Sequence, residues 1–135
     1  MYDLDLSSWN LHRAAVENRA DVAKILIEQG ADIETKDADG CTPLHAAAWD
    51  NSLEFARVMV EAGADIEAKD DDADTPLHMA AWKNSVEVAT FLMNSGANID
   101  AKDESGRTPL ERANANNHPY PRAVDVARLL TEPGL

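Results

Sequence analysis

Cysteine is almost absent from this chain. Cys41 is the single one in 135 residues, so no intramolecular disulfide can form. That leaves the compartment open, with a reducing, cytoplasmic one favoured. Glycine and proline number six each, too few for a low-complexity linker. No apolar run approaches the length of a membrane span. The first residues, Met1 to Asp5, carry neither the basic segment nor the apolar stretch of a secretory signal. Basic residues are also scarce: 12 Lys and Arg stand against 25 Asp and Glu, for a net charge of −13. Such a surface repels phosphate backbones and anionic lipid, so neither nucleic acid nor a membrane is the expected partner. The charge either attracts a basic protein patch or serves only solubility. Enzymatic patterns are missing too. There is no Gly-rich phosphate loop, no Cys-x-x-Cys, no His-Glu-x-x-His and no nucleophile elbow. No cofactor and no catalysis are expected.

What the chain does have is a period. Thr42-Pro43-Leu44-His45 returns as Thr75-Pro76-Leu77-His78 and as Thr108-Pro109-Leu110-Glu111, each 33 residues after the last. Gly30-Ala31-Asp32, Gly63-Ala64-Asp65 and Gly96-Ala97-Asn98 keep the same step, as do Asn18, Asn51, Asn84 and Asn117. Several registers agreeing on one period mark an internal repeat. The units run roughly 4–36, 37–69, 70–102 and 103–135 and are read as one domain over 1–135.

The chemistry of one unit predicts its shape. Thr42 suits an N-cap and Pro43 the first helical position. Leu44, Ala47 and Ala48 give a short helix whose small residues let a neighbour approach. Asn51 suits the left-handed residue that ends it. Phe55, Val58, Met59 and Ala62 fall at helical spacing for a second helix, which Gly63 ends. An extended stretch then leads to an acidic turn. One such unit cannot bury its apolar faces alone, whereas stacked units bury a continuous core and form a concave face.

The 33-residue period, the Thr-Pro-Leu-His-x-Ala-Ala motif and Gly-Ala-Asp resemble the ankyrin repeat across nearly the whole chain. The resemblance implies an all-α solenoid of stacked helix-turn-helix units with projecting hairpin loops. It also implies protein–protein recognition through the hairpin tips and the inner face of the first helices. The first unit departs from the pattern, with Trp9 and Asn10 where Thr-Pro would stand. The third has Ala73 where Gly40 and Gly106 stand, which questions its hairpin if φ must be positive. The fourth has Glu111 in place of His and five extra residues, His118 to Arg122, from aligning Val88 with Val126. Atypical end units are what capping requires, so a complete stack is expected.

Carried over from the family, the tip positions are Lys36, Ala38, Asp39 and Cys41, then Lys69, Asp71, Asp72 and Asp74. In the fourth unit they are Lys102, Glu104, Ser105 and Arg107. The inner-helix positions are Trp49 and Asp50, Trp82 and Lys83, and Ala115 and Asn116, with Val16 and Glu17 in the first unit. Trp49 and Trp82 follow Ala-Ala pairs at equivalent positions and suggest an aromatic strip, since tryptophan is enriched in interface hot spots. Burial against the adjacent unit is the competing reading.

The histidines His12, His45 and His78 are read as structural, each bonding the threonine or backbone of its own hairpin. Packed helices lie about 8–10 Å apart, too far to share a zinc ion whose bonds are about 2.0–2.1 Å. Asp70-Asp71-Asp72-Ala73-Asp74 begins like a calcium loop, but Thr75 and Ala81 stand where its glycine and bidentate glutamate belong. It is read as a solvated tip, or as a docking site for a partner's Lys or Arg. Cys41 is read as a passive surface thiol. The carboxylates are placed at tips and on exposed helix faces, without the burial that tunes a catalytic pair. The leading function is a monomeric module that binds another protein. The alternative is a structural or self-associating scaffold, with the Trp face joining copies.

Overall fold

The computed structural model describes residues 6–115 and 126–131. A short 3-10 turn at Leu6–Ser8 precedes eight α-helices in that part. They are α1 (Leu11–Val16), α2 (Ala20–Glu28), α3 (Pro43–Asp50), α4 (Leu53–Glu61), α5 (Pro76–Lys83), α6 (Val86–Asn94), α7 (Pro109–Ala115) and α8 (Val126–Thr131). The first helices stack as α1, α3, α5, α7, and the second as α2, α4, α6, α8. No described residue is in a β-strand, so the connecting loops turn sharply without sheet pairing.

Helices α3, α5 and α7 begin on a reciprocal cap, while α1 has only the Asn10 Oδ1 accepting the Arg13 N–H at 2.8 Å. Thr42 Oγ1 accepts the His45 backbone N–H at 3.4 Å, and His45 Nδ1 accepts the Thr42 N–H at 3.1 Å. Thr75 and His78 repeat this at 3.3 and 3.1 Å. Two orphan donors of the helix start are thereby satisfied. In the fourth unit Glu111 Oε1 accepts the Thr108 N–H at 3.4 Å, so the carboxylate keeps the cap that an imidazole supplies elsewhere. Asn18, Asn51 and Asn84 turn the chain after α1, α3 and α5 with φ of 51°, 55° and 56°. The third hairpin keeps its geometry despite Ala73, which sits at φ 61° where Gly40 has 77° and Gly106 has 80°.

The core lies between the two layers. Leu44, Phe55, Met59, Leu77 and Leu92 are fully buried, each contributing roughly 1.5–3 kcal/mol. Alanine pairs Ala14-Ala15, Ala47-Ala48 and Ala80-Ala81 are buried between successive helices. Ala62 does not join them: it is exposed at the end of α4, and Ala56 takes the buried place.

The histidines reach further than their own hairpins. Besides the cap at His45 and His78, the Nε2 of His12, His45 and His78 meets the carbonyls of Cys41, Asp74 and Arg107 at 2.8, 2.7 and 2.8 Å, each in the next unit. His12 makes this bond without a cap, against the expectation that it bonds its own hairpin. The caps and carbonyls fix the tautomer of His45 and His78 as Nε2–H. A second rung runs along the other layer. Asn18, Asn51 and Asn84 accept the N–H of Phe55, Val88 and Val126 at 3.0, 3.1 and 2.9 Å. Val126 thus holds the place of Val88, and the register survives the five added residues. His118 to Arg122 and Asn116 lie outside the described residues.

Candidate functional site

Each acidic turn is built on its first aspartate. Asp37 Oδ1 accepts the N–H groups of Asp39 and Cys41 at 2.9 and 3.0 Å. Asp70 accepts those of Asp72 and Asp74, both at 2.9 Å. Asp103 accepts those of Ser105 and Arg107, both at 2.9 Å. A carboxylate with a short side chain suits this turn, because it binds backbone donors two and four residues ahead. Successive tips are joined through the backbone: Asp71 N–H to the Asp39 carbonyl at 3.1 Å, Glu104 N–H to the Asp72 carbonyl at 2.9 Å.

Between these tips and the inner faces of α3 and α5 lies a groove of about 620 Å³. It brings together Asp39, Cys41, Trp49, Asp50, Asp71, Asp72, Asp74 and Trp82 from the expected set, with Val16 at one end. Lys36, Lys69, Lys83 and Arg107 are exposed but do not line it. Glu17, Lys102, Glu104, Ser105 and Ala115 are likewise exposed outside it, as is Ala38. His45, Ala46, Asp37, Asp70, Met79 and Arg112 complete the lining; Asp70 belongs to the acidic run expected to dock a partner's Lys or Arg, whereas Asp37, Met79 and Arg112 were not expected as contacts. The period held the signal for Met79 and Arg112. Ala46, Met79 and Arg112 are 33 residues apart on one helix face, and all three line the groove.

The two indoles differ. Trp49 is 42% exposed, and Lys83 Nζ lies 4.8 Å from its ring centroid. Trp82 is half-buried, with the Arg112 guanidinium 4.6 Å from its centroid. Each ring is therefore partly covered by a cation of the following helix or helix end.

Asp74 is the main departure from expectation. It was placed on the tip, yet only 3% of it is exposed. Its carbonyl holds His45 from the preceding unit, which draws the residue under the tip. Burial pushes its carboxyl up to about 7; Arg112 pulls it down, while Asp70 and Asp103 push it further up. Asp74 Oδ2 lies 3.5 Å from Arg112, and the carboxyl shares a side-chain hydrogen bond with Asp103. The expectation that all carboxylates lie in exposed places fails here. Burial also acts on Asp103, but the N–H groups of Arg107 and Ser105 and its contact with Asp74 leave it below the usual range. Cys41 is half-buried rather than a surface thiol. Burial, with Asp37, Asp70 and Asp39 nearby, pushes it up to about 12, so it stays a thiol.

Two groups of potential metal ligands come within 4.8 Å: Asp74, His78 and Asp103, and Asp70, Asp72 and Asp74. The first suits a cation poorly. Both ring nitrogens of His78 are engaged, and Arg112 stands 3.5 Å from Asp74 and 3.9 Å from Asp103. In the second, Asp70 Oδ1 is already spent on two backbone donors.

The family model described as ankyrin repeats (3 copies) matches residues 7–70 and 67–135, which together span nearly the whole chain. A search of curated proteins gave no match to this chain.

Proposed function

From the premise that this chain belongs to the ankyrin-repeat family, whose repeats are generally protein–protein interaction modules, we propose that it is a non-catalytic, monomeric module that binds a partner protein. Contact is made through the acidic hairpin tips and the inner face of α3 and α5. The observation that carries this reading is the groove, where exposed aspartates of two tips and the exposed indole of Trp49 line one concavity. A rigid aromatic anchor bordered by polar groups is the composition of an interface hot spot. Net charge of −13 and the aspartate-lined groove make a partner with a basic patch the better fit, and oppose nucleic acid. Among the described residues no helix is long and apolar enough to cross a membrane. Self-association through the same face would set aspartates against aspartates, which disfavours it.

The test is a pull-down from source-organism lysate with three proteins of matched helicity: wild type, Trp49→Ala/Trp82→Ala, and Asp39→Asn/Asp71→Asn/Asp72→Asn. A protein retained by wild type and lost by both variants supports the reading. A partner captured equally by all three moves the contact off this groove. A solution mass that rises with concentration, and falls back in the tryptophan variant, supports the self-associating scaffold instead.

A further inference from the structure

The groove is charged in a lopsided way, and its own chain corrects the imbalance only in part: Arg112 lines it, and Lys83 lies over Trp49 and acts on Asp50. Seven aspartates line it against one arginine. Asp37 and Asp70 are occupied by turn N–H groups. Arg112 is committed to Asp74 and Asp103. Asp39, Asp71 and Asp72 are exposed and in no ion pair among the described residues. The backbone bond from Asp71 to the Asp39 carbonyl holds two of these like charges on adjacent tips. The backbone that carries these acids is therefore in place before a cation arrives, and only their side chains remain to be ordered.

The Asp74 side chain lines the same groove and is only 5% exposed; it is shared between Arg112 and a side-chain hydrogen bond with Asp103, so it is committed to its own chain and leaves the exposed acids to a partner. Trp49 supplies an apolar, π-faced wall to the same concavity. Lys83 over Trp49 and Arg112 over Trp82 show that these indoles accept cations and aliphatic stems.

We propose that the groove receives an extended, basic segment of the partner protein, seating an Arg or Lys side chain between Asp39, Asp71 and Asp72 with its aliphatic stem against Trp49. This rests on the protein-docking reading above and gives that partner its chemistry. A long side chain with an apolar stem and a charged head matches a site whose wall is an indole and whose rim is three carboxylates. An acidic or neutral segment would leave the three carboxylates uncompensated beside it.

The test uses the full chain and three dye-labelled peptides sharing one Gly-Ser-Leu framework, with Arg, citrulline or Glu at the variable positions. Binding is followed by fluorescence anisotropy at low and at physiological salt. The Arg peptide is expected to bind about tenfold tighter than its citrulline isostere, from several partly exposed ion pairs acting together. Asp39→Asn/Asp71→Asn/Asp72→Asn should erase that difference. A control variant, Glu28→Gln/Glu61→Gln/Asp100→Asn, removes as many charges from exposed positions outside the groove and should keep it. Equal weakening by both triple variants makes the attraction diffuse and overturns the proposal. If Arg and citrulline peptides bind alike and Trp49→Ala weakens both, the cationic inference fails while the docking groove stands. Should no peptide bind, and the pull-down partner ignore every groove variant, both readings fall.

Discussion

The second and third units share a frame and differ at the junctions they make. Both open on Thr-Pro-Leu-His, close their first helix on a left-handed Asn, and carry Trp after an alanine pair. The second turns its hairpin on Gly40 and leaves Trp49 42% exposed, under a lysine that is itself exposed. The third turns on Ala73 and half-buries Trp82 beneath Arg112, which is tied to a buried aspartate. The cause lies in the neighbour. Where the third unit offers Met79 to the groove, the fourth offers Arg112 at the equivalent position. What a unit presents to a partner is therefore decided partly by the unit after it, as nearest-neighbour stacking requires.

The strongest way to break this comparison is to attack the shared frame. His45 and His78 are 1% and 0% exposed, and each joins its own cap to the next unit's carbonyl. His45→Ala and His78→Ala should each cost roughly 3 kcal/mol, through lost buried hydrogen bonds and the cavity left behind. Urea denaturation followed by circular dichroism measures both. Near-equal losses keep the frame common to the two units. A gap well beyond about 1 kcal/mol would show that the Asp103–Arg112 cluster changes what His78 holds.

The next effect separates the junctions by pH. Asp74 has its carboxyl pushed up to about 7 from 3.8. Between those values the folded chain keeps a proton that the unfolded chain has lost, so stability falls as pH rises from about 4 to 7. Burial acts oppositely on the imidazoles, holding His45 and His78 below their ordinary 6.5. Those two stay neutral while the unfolded chain protonates, so their contribution is lost as pH falls below 6.5. Wild type therefore carries two opposing slopes. Asp74→Asn should remove the first, stabilise the fold by roughly 2 kcal/mol at pH 7 and above, and leave the histidine slope bare. Denaturation midpoints across the range decide it. An Asn variant with the wild-type profile would place the titration on another group.

These outcomes bear on how far the sequence could be read. The frame was legible because its signals are local and repeat. A Thr-Pro start, a left-handed Asn and a glycine after the second helix each act within a few residues, and the period multiplies them. The exposed acids Asp39, Asp71 and Asp72 and the indole of Trp49 were legible for the same reason. Asp74 was not. Its burial comes from the His45 bond and from Arg112, contacts 29 and 38 residues away that no local pattern announces. Arg112 escaped notice because it replaces a methionine, so the period was visible there only as a position, not as a residue type. The histidine rungs were half legible: the cap is local, while the carbonyl it clasps belongs to the next unit.

The smallest effect compares the two hairpin turns directly. Ala73 sits at φ 61°, where a Cβ crowds the backbone and glycine does not. Ala73→Gly should therefore stabilise the fold, by roughly 1 kcal/mol less the extra chain entropy glycine brings to the unfolded state. The reverse change at the second hairpin is not its mirror image. A Cβ on Gly40 would suffer the same strain at φ 77° and also collide with the Asp71 carboxylate of the next tip. Gly40→Ala should cost more than Ala73→Gly returns, and it should displace an acid that the groove uses. Thermal unfolding gives the first difference, and Arg-peptide anisotropy gives the second. Equal and opposite shifts in stability with unchanged peptide binding would mean that Asp71 swings aside freely, and that the tip acids are not held in place before a partner arrives.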